Sequence, residues 1–159
     1  MDTSPEQATI LTRAGSSIVN SSTLHLLHRV HQCAGELFQT HMDGIDVTST
    51  QYTVLLAASE RDGLSQQDII NATGIDRSTV SQVVQLLTRK GLLKRRRTRH
   101  DARAYAISLT DAGRDVLHRS APIISKIEQT LVGALPATRA KTFISNLRAI
   151  VAAFEPAKA

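Results

Sequence analysis

Across residues 22–42 the apolar side chains Leu24, Leu27, Val30, Ala34, Leu37 and Phe38 recur every three or four positions, the period of a helix with one apolar face. Gly44 follows, where a glycine ends a helix. A second helix over residues 49–61 turns Tyr52, Val54, Leu55 and Leu56 inward and stops at Asp62-Gly63. Two short helices come next. Ser65-Gln66-Gln67-Asp68 has the form of a capping box, with Ser65 accepting from the Asp68 amide and Asp68 reaching back. Ile69 and Ile70 then enter the core, and Gly74 is placed to take the left-handed conformation that stops the segment. After Gly74-Ile75-Asp76, Asp76 caps a helix that runs to about Lys90 and is ended by Gly91.

This helix, short turn and helix is the most informative stretch of the chain. In the second helix Val80, Val83, Val84 and Leu87 share one side. The other side carries Ser78, Gln82, Gln85 and Arg89, flanked by Thr79 and Ser81, and holds no acid. Ordinary surface helices mix Glu with Lys. A face of hydroxyl, amide and guanidinium groups instead suits a duplex major groove, where Gln and Arg read base edges and Ser and Thr bind phosphates. Downstream, residues 92–98 and 103–109 form a hairpin, with Tyr105, Ile107 and Leu109 on one face and a basic tip near residues 98–102. A hairpin directly after such a helix pair is a wing, placed to enter the neighbouring minor groove, whose negative potential attracts arginine.

Thr110 caps a long helix over about residues 111–133, with Pro122 inside it as a source of bending. Pro136 opens the last helix, whose stripe of Phe143, Ile144, Leu147, Ile150, Val151 and Phe154 needs a partner. The helix over residues 22–42 has the same need, and residues 1–20 read as a polar helical arm. A two-fold dimer with interlocked terminal helices satisfies both, and sets two recognition helices about one DNA turn apart on a pseudo-palindromic site. The expected fold is mainly α with a small β-hairpin. A winged helix-turn-helix domain over residues 49–113 is flanked by dimerisation helices over 1–48 and 114–159.

Charge sharpens this picture. Between Arg77 and Arg103, nine Lys or Arg against the single acid Asp101 give +8, which leaves the rest of the 159-residue chain at −3 of a formal net +5. A basic block on a mildly acidic protein is the footprint of a polyanion partner. Trp is absent and Phe and Tyr number five, so stacking on single-stranded bases is disfavoured. Hydrophobic residues at 42% suit a globular protein, and no apolar run approaches the roughly 20 residues that span a bilayer. The first 14 residues lack the order of a signal peptide, so a cytoplasmic location is expected.

The run from Leu64 to Gly113 resembles the multiple antibiotic resistance regulator (MarR) family. The matching residues are Gln51-Tyr52-Thr53-Val54-Leu55, the helix pair over residues 65–91, Gly91-Leu92-Leu93-Lys94-Arg95, Asp101-Ala102-Arg103, and Leu109-Thr110-Asp111-Ala112-Gly113. An Asp, one spacer, an Arg and then a Leu-Thr-x-x-Gly is the family's wing signature. Thr88 departs from the acidic residue common there. The resemblance implies a homodimer that binds double-stranded DNA. It also implies that Arg103 enters the minor groove, that Asp101 holds the wing through an ion pair with a nearby arginine, and that a gene is repressed until an effector binds. The expected DNA contacts are Arg77, Ser78, Thr79, Ser81, Gln82, Gln85, Arg89, Arg95, Arg97, Arg99 and Arg103.

The effector is less legible. His31 falls on the apolar stripe and reads by default as a core or interface histidine; the sharper expectation is that His28, His31 or Arg29 lines a cleft and binds a small anion such as an aromatic carboxylate or phenol. Alternatives are sensing through zinc or through oxidation of Cys33. His25, His28, His31, His41 and His118 include no close Cys pair, so no metal and no cofactor are expected. The resemblance puts the family's reactive thiol about where Leu24 stands, and Cys33 reads as a small core residue. An enzyme is disfavoured, because the chain has no phosphate loop, no nucleophile motif and no paired carboxylates. A winged-helix adaptor that binds no DNA is opposed by the basic block, and A-form RNA by its narrow major groove.

Overall fold

A computed structural model of the chain describes residues 22–97 and 105–154. Its elements are α1 (Thr23–His41), α2 (Ser49–Ser59), α3 (Gln66–Thr73), α4 (Arg77–Arg89), β1 (Leu93–Arg97), β2 (Tyr105–Leu109), α5 (Asp111–Val132) and α6 (Ala137–Phe154). The polar arm and the hairpin tip, with Arg99, Asp101 and Arg103, lie outside the described residues.

Contacts divide the chain into two units, one ending at Leu37 and one beginning at Phe38. In the first, α1 is the only described element. Leu24, Leu26, Leu27 and Val30 are exposed. Cys33, expected in a core, is exposed too.

The second unit is built on a core of fully buried aliphatic side chains: Val54 and Leu55 from α2, Ile69 from α3, Val80, Val84 and Leu87 from α4, and Leu93, Ile107 and Leu109 from the hairpin. Leu56, expected inward, is exposed. The buried stripe of α2 runs through Gln51, Val54, Leu55 and Ala58, and Leu56 lies roughly 100° further round the helix than Leu55.

Local sequence explains where the helices begin and end. The Ser65 hydroxyl accepts from the Asp68 amide at 3.1 Å, and the Ser65 amide donates to the Asp68 carboxylate at 2.8 Å. Thr48 and Gln51 form a second capping box at the start of α2, which the sequence reading had not identified. Gly74 is left-handed, and Asp76 caps α4 as expected. Pro136 precedes α6 instead of opening it, and its carbonyl accepts from the Ala140 amide at 2.9 Å. The fixed φ and missing N–H of proline suit the cap position as well as the first helical one. The helix α5 continues across Pro122.

The strands pair antiparallel, with Leu93 opposite Leu109, Arg95 opposite Ile107 and Arg97 opposite Tyr105. Leu64 adds an unanticipated bridge on the other edge of β2, exchanging two backbone hydrogen bonds with Ile107. Thr110 locks the base of the hairpin. Its hydroxyl donates to the Gly91 carbonyl at 2.6 Å and accepts from the Gly113 amide at 3.1 Å, while its amide donates to the Leu92 carbonyl at 3.1 Å.

The last helix, α6, buries no residue. Ile144, Ile150 and Val151 are exposed, and Phe154 is 85% exposed. The stripe read from the sequence is therefore open at these four positions, while Phe143 and Leu147 are half-buried. Among the described residues, no helix is long and apolar enough to cross a membrane.

Candidate nucleic-acid interface and effector cleft

Helix α4 is held by Val80, Val84 and Leu87, and its outer face presents Ser78, Gln82, Gln85 and Arg89, all exposed. Thr79 and Ser81 are half-buried at its edges. Gln82, Gln85 and Arg89, with Val83 and Leu86, line a groove of about 330 Å³. Arg77, the first residue of α4, donates from Nη2 to the Gln67 Oε1 at 2.6 Å, and the Gln67 Nε2 donates to the Asn71 Oδ1 at 2.9 Å. Two side chains of α3 thus orient the first cation of the reading helix.

The Asp76 carboxylate accepts from the Ser78 hydroxyl at 2.6 Å and from the Thr79 amide at 3.0 Å. These bonds, that from Ser78 first, hold its pKa well below the usual carboxylate range. Ser78 was read as a phosphate donor, but its single hydroxyl proton is directed to Asp76, so it offers only lone pairs outward.

The hairpin distributes its cations by strand alternation. Leu93 points into the core, and Lys94 and Arg96 are exposed. Arg95 is half-buried, with its guanidinium 4.2 Å from the centre of the Tyr105 ring. Such a cation–π pair contributes about 0.5–1 kcal/mol at an exposed site. Among the described residues, the buried Arg95 Nε has no hydrogen-bond partner. Arg97, at the end of the strand, is exposed. Of the strand's cations, Arg95 and Arg97 are the contacts expected from the sequence, whereas Lys94 and Arg96 are the ones that alternation exposes. The usable signal was the parity set by Leu93, which turns residues 94 and 96 away from the core.

His28, Arg29 and His31 are exposed on α1. In the second unit a cleft of about 420 Å³ is lined by Tyr52, Leu56, Ser59, Leu109, Arg114, Leu117, His118 and Ala121. Burial, and next the negative charge of Glu128, raise the Tyr52 pKa, so its phenol stays protonated. Arg114 lies 3.6 Å from the Asp111 carboxylate and is half-exposed, so it remains available to a second anion. Tyr52 and Arg114 come together only through the packing of α2 against α5, and no local motif announces them. Among the described residues, no three His, Cys, Asp or Glu side chains are grouped to hold a metal ion.

These features define a winged helix-turn-helix protein with a non-acidic reading helix and a cationic hairpin. Comparison with known proteins places it further. Residues 45–104 match the MarR family. Over 127 residues the chain is 27% identical to the helix-turn-helix transcriptional repressor NicR of Pseudomonas putida, covering 80% of each protein. Its structure is similar to that of the PcaV transcriptional regulator of Streptomyces coelicolor, solved with its natural ligand, at a TM-score of 0.80 and 32% identity over 87% of this chain and 98% of PcaV. It is also similar to BpsR of Bordetella bronchiseptica, whose DNA binding is regulated by 6-hydroxynicotinic acid, at a TM-score of 0.75 and 29% identity over 80% of this chain and 96% of BpsR. The chain belongs to the MarR family of transcriptional regulators.

Proposed function

We propose that the protein is a homodimeric, sequence-specific repressor that releases double-stranded DNA when a small aromatic acid or phenol binds. The observation that carries this reading is the outer face of α4, where Ser78, Gln82, Gln85 and Arg89 stand exposed without a carboxylate among them. In the bound state α4 lies in the major groove with Gln82, Gln85 and Arg89 toward base edges, while Arg77, Thr79 and Ser81 serve the backbone. The hairpin brings Lys94, Arg96, Arg97, Arg99 and Arg103 to the adjacent groove. Asp101 holds the wing, and Arg95 braces it from Tyr105.

Residues 49–113 form the DNA-binding part, and the open apolar faces of α1 and α6 in the regions 1–48 and 114–159 form the dimer. The cleft at Tyr52, Arg114 and His118 takes the effector, with a cation for a carboxylate and a phenol for a second polar group. His28, Arg29 and His31, exposed on α1, are a separate candidate group for a small anion. The protein turns over no substrate and acts in the cytoplasm, where the chromosome is. NicR, named a repressor, and BpsR, with its acid-regulated DNA binding, support this assignment.

The test is selection of duplexes from a random-sequence library, followed by binding over a salt series. A specific site whose affinity falls steeply with salt is expected, because phosphate contacts release counterions. Enrichment of no sequence would defeat the reading. A thermal-shift screen of aromatic carboxylates and phenols, repeated on Arg114→Ala, tests the effector cleft.

A further inference from the structure

Lys90 belongs by sequence to the basic block, yet its side chain faces inward. It is the cap residue at the C-terminal end of α4, and Gly91, with φ of 72°, turns the chain toward β1 directly after it. The ammonium group lies 2.7 Å from the Asp46 carbonyl oxygen, 2.9 Å from the Asp46 carboxylate and 3.4 Å from the Gln51 Oε1. A lysine ammonium has three donors, and these contacts account for all three. The same Gln51 Oε1 accepts from the Thr48 amide at 3.4 Å to close the capping box of α2. Gln51 is one of two buried polar side chains among the described residues. The segment 42–48 is anchored in turn by buried Met42 and Val47.

We propose that Lys90 is a positioning residue for DNA recognition. It fastens the joint between the reading helix and the wing onto segment 42–48 and the start of α2, and it makes no phosphate contact. This rests on the DNA-binding reading above. The joint matters because both DNA-contacting elements leave from it. The carbonyls of Gly91 and Leu92, the next two residues, are the acceptors through which Thr110 holds the base of the hairpin. An untethered joint lets helix and hairpin shift together against the rest of the unit.

Positioning and direct contact make opposite predictions for the partner of Lys90. The Asp46 side chain is 96% exposed, so Asp46→Ala leaves the core intact. Electrostatics alone makes removal of an acid tighten binding to a polyanion. Loss of a tether weakens it.

The experiment measures binding of Lys90→Met and Asp46→Ala, each full-length and checked for dimer and melting temperature, to the duplex that the wild-type protein selects. Lys90→Met is expected to bind roughly three- to tenfold more weakly, the range for a part-buried ion pair with a buried amide left short of a partner, and Asp46→Ala, which keeps the backbone carbonyl contact, about two- to threefold more weakly. The slope of log K against log salt is expected to stay at the wild-type value. If Lys90→Met flattens that slope by about 0.9 per protomer, as a lost phosphate contact does, or if Asp46→Ala binds as tightly as wild type or more tightly, the proposal is overturned while the DNA-binding reading stands. A wild-type protein that selects no duplex defeats that reading, and this proposal falls with it.

Discussion

Gly113→Ala sets two effects of opposite sign against each other. Gly113 lies in the first turn of α5 and is buried. By helix propensity alone, alanine stabilises a helix by up to about 1 kcal/mol over glycine. A Cβ at this position, however, would fall well inside contact distance of the Leu92 carbonyl oxygen and 3.0 Å from the Leu109 Cδ2. The carbonyl cannot easily retreat, because it accepts from the Thr110 amide at 3.1 Å. Overpacking against a fixed backbone costs about 1–3 kcal/mol. The clash therefore wins, with a net loss of about 1–2 kcal/mol, or a melting temperature about 2–8 °C lower for a domain of this size. Relief of the clash also pushes the start of β1 away from α5, so DNA affinity falls in the same variant. Thermal unfolding by circular dichroism measures the first effect. Ala112→Gly, at the exposed neighbouring position, calibrates propensity in the same turn and lowers stability by about 0.5 kcal/mol. If Gly113→Ala raised the melting temperature by about what Ala112→Gly loses, propensity alone would rule, and the close approach of α5 to Leu92 would be refuted.

Asp68, through its hydrogen bond from the Ser65 amide first, and Asp76 are both held below the ordinary carboxylate pKa. A depressed folded-state pKa contributes stability that is complete above the unfolded value of about 3.9 and is lost as pH falls through the folded value. The melting temperature should therefore drop on acidification below about pH 4, and less so in Asp68→Asn and Asp76→Asn; equal slopes in all three proteins would remove these caps from the account. Val151→Asp, on the open stripe of α6, should shift the protein from dimer to monomer in analytical ultracentrifugation, and an unchanged dimer would place the interface elsewhere. Gln85→Ala should alter the selected sequence at one position per half-site by about 1–3 kcal/mol in discrimination while leaving nonspecific affinity unchanged; a uniform loss on all sequences would assign Gln85 to the phosphates.

What the sequence revealed follows from how local each determinant is. The helix pair was legible because its caps are contained within four residues, as at Ser65–Asp68 and at Asp76 with Thr79. The outer face of α4 was legible because its buried seam of Val80, Val84 and Leu87 sets the phase of everything else. Leu56 was misplaced because periodicity in an apolar-rich helix leaves the phase loose, and only packing against α4 and α5 chooses Val54 and Ala58 over it. Arg95 was read as a free cation because the ring that engages it, Tyr105, comes from the other strand. Lys90 shows the same limit, since its partners Asp46 and Gln51 lie 44 and 39 residues away. The cleft joining Tyr52 to Arg114 and His118 is a product of tertiary packing alone.

The central claim is that two copies of α4 and its hairpin dock against successive grooves of one duplex. Hydroxyl-radical footprinting of the full-length protein on its selected duplex tests it most directly. Two protected patches related by two-fold symmetry, centred about 34–36 Å or one helical turn apart and flanked by weaker protection from the wings, are the expected result. A single unsymmetrical patch, or uniform protection along the whole fragment, would contradict it.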